Sequence, residues 1–399
     1  MIMAGAFDNL LDLLRGNSIL PAPAVGEPHI PTIDSEWLEL LHEAHRQRVM
    51  GLASDAVAAL PEERKPSFRI RARLAMETET IERMNRAVNN AAAKLVSTYE
   101  AAGLHPVIQK GPAVAALYPN PLHRECGDID IFFSQSPEGP STAAPDEFSR
   151  SREIALKLCG AAATGPGGVQ GEVATEQGGI QGATATEPNG AWGKVTDEAD
   201  GAFHYRYGGV LVEHHPRFYD SACQFPQFDV QSPEAQIIML STHILKHALG
   251  KGIGLKQICD YFVARERLDY DKAKVAEAIE AAGLAKWQTL LDGFGPDLRR
   301  IVERSGNFGR GEDTRTAGNQ SKATDNARTA GNQSKAPDIR ITASLQKAMD
   351  NACTAASPQK APCTNSRLAT ALSFLRSIPF ALKYAPREWL HTVATLTFH

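Results

Sequence analysis

Apolar residues recur at three- and four-residue steps over most of the first hundred positions, a period that predicts helices. Phe7, Leu10, Leu11 and Leu14 share one face of a helix within 1–14. Asp34 and Ser35 offer caps ahead of Trp37, Leu38, Leu41 and Ala44. After Pro66, the stripe Ile81, Met84, Val88, Ala92, Leu95 and Tyr99 marks a longer helix, which Gly103 is suited to stop. The period then shortens. Segments 105–111 and 127–133 are apolar runs of strand length. Between them, 112–118 reads as a short helix with proline in its first turn, where the missing N–H costs nothing. Further on, 146–161 predicts a helix through Phe148, Ile154, Ala155 and Leu158, and 203–207 and 209–215 predict strands. Ser232 and Pro233 form a cap and first-turn pair that opens a helix through Ile237, Leu240, Ile244 and Ala248. Segments 255–265 and 271–283 read as two more helices, and Leu368, Leu372, Leu375 and Ile378 suggest another, ahead of an apolar segment at 389–398.

Three stretches break these patterns. Residues 164–193 are rich in Gly, Thr, Ala, Gln and Glu and carry no Lys or Arg. Such a composition cannot bury enough apolar surface to offset its ordering entropy, so a flexible insertion is expected there. Residues 307–338 contain a nine-residue run, Arg315 to Ala323, repeated at Arg328 to Ala336. The repeat is too short and too polar for a solenoid unit, and reads as an expanded linker whose positive charge could touch nucleic acid or an acidic partner. Segment 354–366 looks like another linker. The expected organisation is a helical region at 1–103, an α/β (α+β) core at 104–220, a second helical region at 221–300, low-complexity linkers at 307–366 and a helical segment at 367–399.

The candidate chemistry sits in the core. On a strand, residues i and i+2 face the same way, so Asp128 and Asp130 converge while Ile129 and Ile131 turn to the interior. Two carboxylates held that close repel unless a cation lies between them, usually a divalent one. The plainer reading is the solvent-facing edge of a half-buried strand. Upstream, Lys110 and Gly111 end the first strand where a helix begins, and a glycine there lets a phosphate approach the backbone. Arg124 lies in the polar loop that leads into the Asp strand. Glu213 sits inside an otherwise apolar strand and must face something polar. The order of these pieces makes a phosphate-and-metal site. His243 and His247, at i and i+4, have a spacing that can bind metal, but no third ligand is near in sequence and a structural role is favoured.

Lys110-Gly111, Leu117-Tyr118-Pro119, Arg124, Asp128-Ile-Asp130 and Val212-Glu213-His214-His215 together resemble the nucleotidyltransferases of the DNA polymerase β superfamily. The resemblance is nearest to a bacterial branch called uncharacterised nucleotidyltransferases and extends over about residues 35–293. It implies a minimal nucleotidyltransferase mixed sheet with flanking helical segments. It implies Asp128, Asp130 and Glu213 as metal-binding carboxylates and Gly111 as the phosphate-side glycine of the first strand–helix turn. Lys-Gly stands where the wider superfamily has Gly-Ser, and the gap to the Asp pair is longer. His215 matches a recurrent Glu-x-His of the branch.

The expected reaction is transfer of a nucleoside monophosphate from an NTP to an acceptor, with release of pyrophosphate. Two Mg²⁺ ions can clamp the attacking and leaving oxygens, and Mg²⁺ needs only two or three protein carboxylates. Asp128 and Asp130 would bridge the metals, and Glu213 would serve the acceptor side. Lys110 and Arg124 are candidates to stabilise charge on the triphosphate. The acceptor is open: a small molecule, a sugar, a protein side chain or a nucleic-acid end. Two other readings stay in view, a silent nucleotide-binding or regulatory module and a hydrolase.

Composition narrows this picture. A net charge of −4 over 399 residues argues against a general nucleic-acid binder. Cys126, Cys159, Cys223, Cys259, Cys353 and Cys363 form no C-x-x-C pair, which suits reduced cytoplasmic thiols. The first fourteen residues carry Asp8 and Asp12 and lack a basic leader, and no run approaches the roughly 18 apolar residues of a membrane span, so a soluble protein is expected.

Overall fold

The computed structural model describes residues 5–21, 28–136, 144–164, 194–305 and 377–388, apart from positions 199, 251 and 378. All belong to one compact unit made of Met1–Gly306 and Ser377–His399. The insertion at 165–193, the duplicated run, the linker at 354–366, the stripe from Leu368 to Ile378 and the segment 389–398 lie outside the described residues.

The fold is α+β. Four helices come first, α1 (Ala6–Gly16), α2 (Asp34–Arg46), α3 (Met50–Ala59) and the long α4 (Phe68–Ala101). The strand region follows as β1 (His105–Ile108), α5 (Pro112–Ala115), β2 (Asp128–Ser134), α6 (Pro145–Thr164), β3 (Thr196–Asp197), β4 (Phe203–Tyr207) and β5 (Val210–His215). Five helices close the order, α7 (Pro233–Leu249), α8 (Leu255–Arg267), α9 (Lys272–Ala281), α10 (Ala285–Asp292) and α11 (Pro296–Ser305). Residues 379–384 are also helical.

One mixed sheet runs in the order β1-β2-β5-β4-β3. β2 and β5 pair in parallel, and every other neighbouring pair is antiparallel. Strand alternation divides the sheet between two cores. Ile129, Ile131, Phe133, Phe203, Tyr205 and Val212 point to the side covered by α4 and α6 and form one apolar cluster with Leu95, Tyr99 and Ala155. The other face carries the acids and meets a larger cluster, built from α1–α3 and α7–α10. Phe132 joins that cluster edge-on to Phe218, with ring centroids 5.5 Å apart.

Several local signals act as the sequence predicts. Ser232 caps α7, its Oγ accepting the Ala235 N–H at 3.1 Å, with Pro233 in the first turn. Phe7, Leu10, Leu11 and Leu14 are all buried on α1. Gly103 adopts φ +72° just after α4, a conformation that favours glycine.

Two expected core positions turn outward. On α2, Leu38 is exposed and Leu40 takes the buried place, because the apolar stripe follows Trp37, Leu40, Leu41 and Ala44. On α4, Met84 is 56% exposed while Asn85 is 1% exposed. The reason lies in what the helix covers. Asn85 Nδ2 donates to the Leu122 and Arg124 carbonyls at 2.7 and 2.8 Å, and its Oδ1 accepts the Cys126 N–H at 3.0 Å. A loop buried against a helix needs polar partners for its backbone, so this part of the stripe is an amide.

The same loop is held by His123, whose Nδ1 lies 2.6 Å from Asp55 Oδ1 on α3 and whose Nε2 lies 3.1 Å from Glu82 Oε1 on α4. The hydrogen bond to Asp55 raises its pKa, against the opposing effect of burial, and Glu82 adds to the rise. A raised histidine stabilises the fold fully below its unfolded value of about 6.5, and that stabilisation is lost as pH climbs through the folded value. The urea midpoint of the wild type should therefore fall more steeply than that of His123→Gln as pH rises above about 6.5. Parallel pH profiles for the two proteins would rule this linkage out.

Candidate active site

Parallel pairing of β2 with β5 builds the site. The register sets Asp128 beside Leu211, Asp130 beside Glu213 and Phe132 beside His215. With period-two alternation, Asp128, Asp130, Glu213 and His215 therefore share one face of two adjacent strands. Ligand-capable atoms of Asp130, Glu213 and His215 all lie within 4.8 Å of one another. Asp130 and His215 are 85 residues apart along the chain, and the parallel pairing of their strands is what brings them together.

Asp130 is the centre of the group. Its Oδ1 accepts from Lys110 Nζ at 3.0 Å and from His215 Nε2 at 2.9 Å. His215 Nε2 also lies 3.7 Å from Glu213 Oε2. Burial pushes the Asp130 carboxyl upward, but Lys110 and His215 outweigh it and hold the group well below the usual carboxylate range. Glu213 moves the other way, raised by burial and by the neighbouring Asp130 charge. Two carboxylates on one face are thus driven apart, one firmly ionised and one drawn toward its proton. Asp128, at the start of β2, is half-buried on the same face.

Lys110 connects this group to a second set of charges. Its Nζ lies 3.3 Å from His243 Nδ1, and His243 Nδ1 lies 2.8 Å from Asp220 Oδ2. Lys246 Nζ donates to Asp220 Oδ1 at 2.8 Å and to Asp200 Oδ2 at 3.1 Å. Burial lowers the Lys110 pKa, but Asp130 and Asp220 more than reverse the effect, so the ammonium stays charged. Burial and the Lys110 charge push His243 down, which keeps it neutral. A neutral ring with its proton on Nδ1 donates to Asp220 and leaves the Lys110 ammonium to Asp130. The His243 and His247 rings stack edge-to-face at 4.5 Å, and neither histidine joins a metal-capable group among the described residues.

Gly111 sits where the first strand turns into α5, at φ +58° and ψ −114°. A Cβ at that position would come 3.0 Å from the Asp128 carbonyl oxygen. The glycine is needed for the close approach of this turn to the Asp strand.

Arg124 is placed differently from the triphosphate role expected of it. Its Nε and one terminal nitrogen donate to the two Asp260 oxygens at 3.0 and 2.5 Å, and its other terminal nitrogen donates to the Glu125 carbonyl at 3.2 Å. Tyr118 OH adds a third bond to Asp260 at 2.9 Å. The residue is 4% exposed and fixes the loop before β2 to α8. Sequence reading missed Asp260 as its partner, together with Asn85, Asp220, Asp200 and Lys246. The spacing of these residues carries no signal, because they converge only through tertiary packing.

The donor set can hold a metal ion. Asp130 and Glu213 present carboxylate oxygens side by side with His215, and Asp128 lies on the same face but outside that close group. His215 already directs Nε2 at Asp130, which suits it to orienting that carboxylate. Residues 34–137 match a family model described as an uncharacterised nucleotidyltransferase. The matched span runs from α2 through β2, so it includes Lys110, Gly111, Arg124 and both aspartates and ends before Glu213. No curated protein and no solved structure matches the chain. The matched family supports nucleotidyl transfer as the general class of activity. No helix among the described residues is long and apolar enough to cross a membrane.

Proposed function

We propose that the protein is a Mg²⁺-dependent nucleotidyltransferase that moves an NMP group from an NTP to an acceptor hydroxyl or phosphate. The observation that carries this reading is the pairing of Asp130 with Glu213 across parallel strands, on the face that also bears Asp128. Asp128, Asp130 and Glu213 would hold the metal, with two ions as the working expectation. When bound, the metal supplies charge neutralisation at the α-phosphate and at the departing pyrophosphate.

The chain's own groups have distinct parts. Asp130 stays ionised because Lys110 and His215 share its Oδ1. Glu213, raised by burial and by Asp130, is suited to take the proton of an acceptor hydroxyl as its oxygen attacks phosphorus. Lys110 keeps a positive charge beside the acids where negative charge develops. We place the protein in the bacterial cytoplasm, a compartment that fits the free thiols of Cys126, Cys159, Cys223 and Cys259.

The test is incubation with α-labelled NTPs and Mg²⁺, reading label transfer and pyrophosphate release. Glu213→Gln should lower turnover by about 10²-fold or more, the range for loss of a general base. Nucleotide binding without turnover over a broad acceptor panel would make the protein a silent binding module. Release of free phosphate without pyrophosphate would make it a hydrolase.

A further inference from the structure

Four cationic side chains lie around the acidic face and the loop that enters it, and their partners separate them. Lys110 is paired with Asp130, and Arg124 is paired with both oxygens of Asp260. Lys256 and Arg48 are different. Among the described residues no carboxylate forms an ion pair with either of them.

Arg48 reaches the start of the Asp strand with its side chain, and hydrogen bonds to Gln47 set the first turn of α8, with Lys256, beside it. The Leu255 N–H donates to Gln47 Oε1 at 2.8 Å and the Lys256 N–H to the Gln47 carbonyl at 3.4 Å, so the first turn of α8 sits on the residue before Arg48. An Arg48 terminal nitrogen lies 3.5 Å from where a Cβ on Gly127 would be, beside Asp128. Glu125, the other acid of this loop, accepts the Met50 N–H on Oε1 at 2.9 Å; burial raises its carboxyl, and the Lys256 and Arg48 charges both act against that rise. Lys256 is half-buried, and Arg48 is exposed.

Arg48 also has an unusual backbone. It follows α2 at φ +55°, with the Val49 N–H returning to the Ala44 carbonyl at 2.9 Å. That is the helix-ending position glycine normally fills. An arginine held there is strained, and its side chain is aimed at the strand that carries Asp128. Burial lowers the Lys256 pKa and the Arg124 and Arg48 charges lower it further, with Asp260 and Asp128 offsetting them only in part.

We propose that Lys256 and Arg48 bind the polyphosphate tail of the nucleotide at the Asp128 end of the site. The proposal rests on the nucleotidyltransferase reading and gives it two residues outside the acidic cluster. A polyphosphate fits better than a single carboxylate because two separate cations must be satisfied at once, next to acids that would repel an anion lacking bound metal.

The test is calorimetric titration of the full chain with inorganic tripolyphosphate in the presence of MgCl₂. Lys256→Gln and Arg48→Gln should each weaken binding by about 10-fold, the scale of one lost charge-assisted hydrogen bond, and the double variant by more. Lys256→Arg should retain most of the affinity. If Lys256→Gln does not fold, the exposed Arg48→Gln carries the test. Wild-type affinity in the double variant overturns the proposal, and with Glu213-dependent label transfer intact it leaves the nucleotidyltransferase reading standing. A wild type that binds no tripolyphosphate overturns the proposal, and one that also transfers no label takes the underlying reading with it.

Discussion

Asp130→Asn should lower kcat/KM for nucleotidyl transfer by at least about 10³-fold while the chain still folds. The size of the effect follows from how many demands meet at one carboxylate. Oδ1 takes both the Lys110 ammonium and the His215 imidazole, and the same side chain stands beside Glu213 in register. An amide keeps the volume and one oxygen that can still accept, but it loses the charge and puts an NH₂ donor in place of the second carboxylate oxygen. Lys110 would keep the Asp220 charge acting on it, which offsets part of the loss without restoring the acidic pair. Breaking a buried pair costs about 3–5 kcal/mol, and the nearby Asp220 should keep the loss at or below the lower end. The pH dependence has a definite sign. Asp130 is depressed in the folded state, so its stabilisation is present above the unfolded value of about 3.9 and is lost as pH falls through the folded one. Wild type and variant should therefore differ most in urea midpoint near neutrality and converge in acid. Turnover and urea melts on the same preparations check both statements. A folded variant that retains a tenth of wild-type turnover would remove Asp130 from the chemistry.

What could be read in the sequence was whatever is written in a short period. Asp128 and Asp130 declare a shared face by their spacing, with Ile129 and Ile131 fully buried behind them. Gly111 declares a turn, and its positive φ against the Asp128 carbonyl gives that turn a reason. Glu213 was visible as an acid in an apolar strand, although only the register of β5 on β2 brings it to Asp130. The second charged set was not legible. Asp220, Asp200 and Lys246 come from a loop after β5, a turn before β4 and the last turns of α7, and nothing local marks them as partners. Met84 and Asn85 show the limit of periodicity most plainly. A stripe of apolar positions predicts which way a helix faces, but not that the surface it meets is a polar loop asking for an amide.

The Arg124–Asp260 pair is where stability should respond most strongly. Arg124→Ala or Asp260→Ala alone should cost about 3–5 kcal/mol, because each leaves a buried charge without its partner. Asp260 would lose two guanidinium bonds, leaving only Tyr118, while Arg124 would lose both bonds from α8. Replacing both residues by methionine should recover much of the loss, since a buried ion pair often gives way to apolar packing at little cost. The activity of the double variant then separates two roles. The loop from 119 to 127 is held on one side by Asn85 and on the other by Arg124, and it delivers Asp128 to the sheet. If Arg124 acts by positioning that loop, the double variant regains stability, yet its turnover stays depressed and its affinity for tripolyphosphate stays near wild type. If Arg124 touched the triphosphate, the methionine pair would lose tripolyphosphate affinity however well it folded. A double-mutant cycle read by urea melts, with calorimetry on the folded members, decides between these outcomes. The geometry favours the first, because both Asp260-facing nitrogens are engaged and the third donates to the Glu125 carbonyl and lies 3.4 Å from Cys126 Sγ.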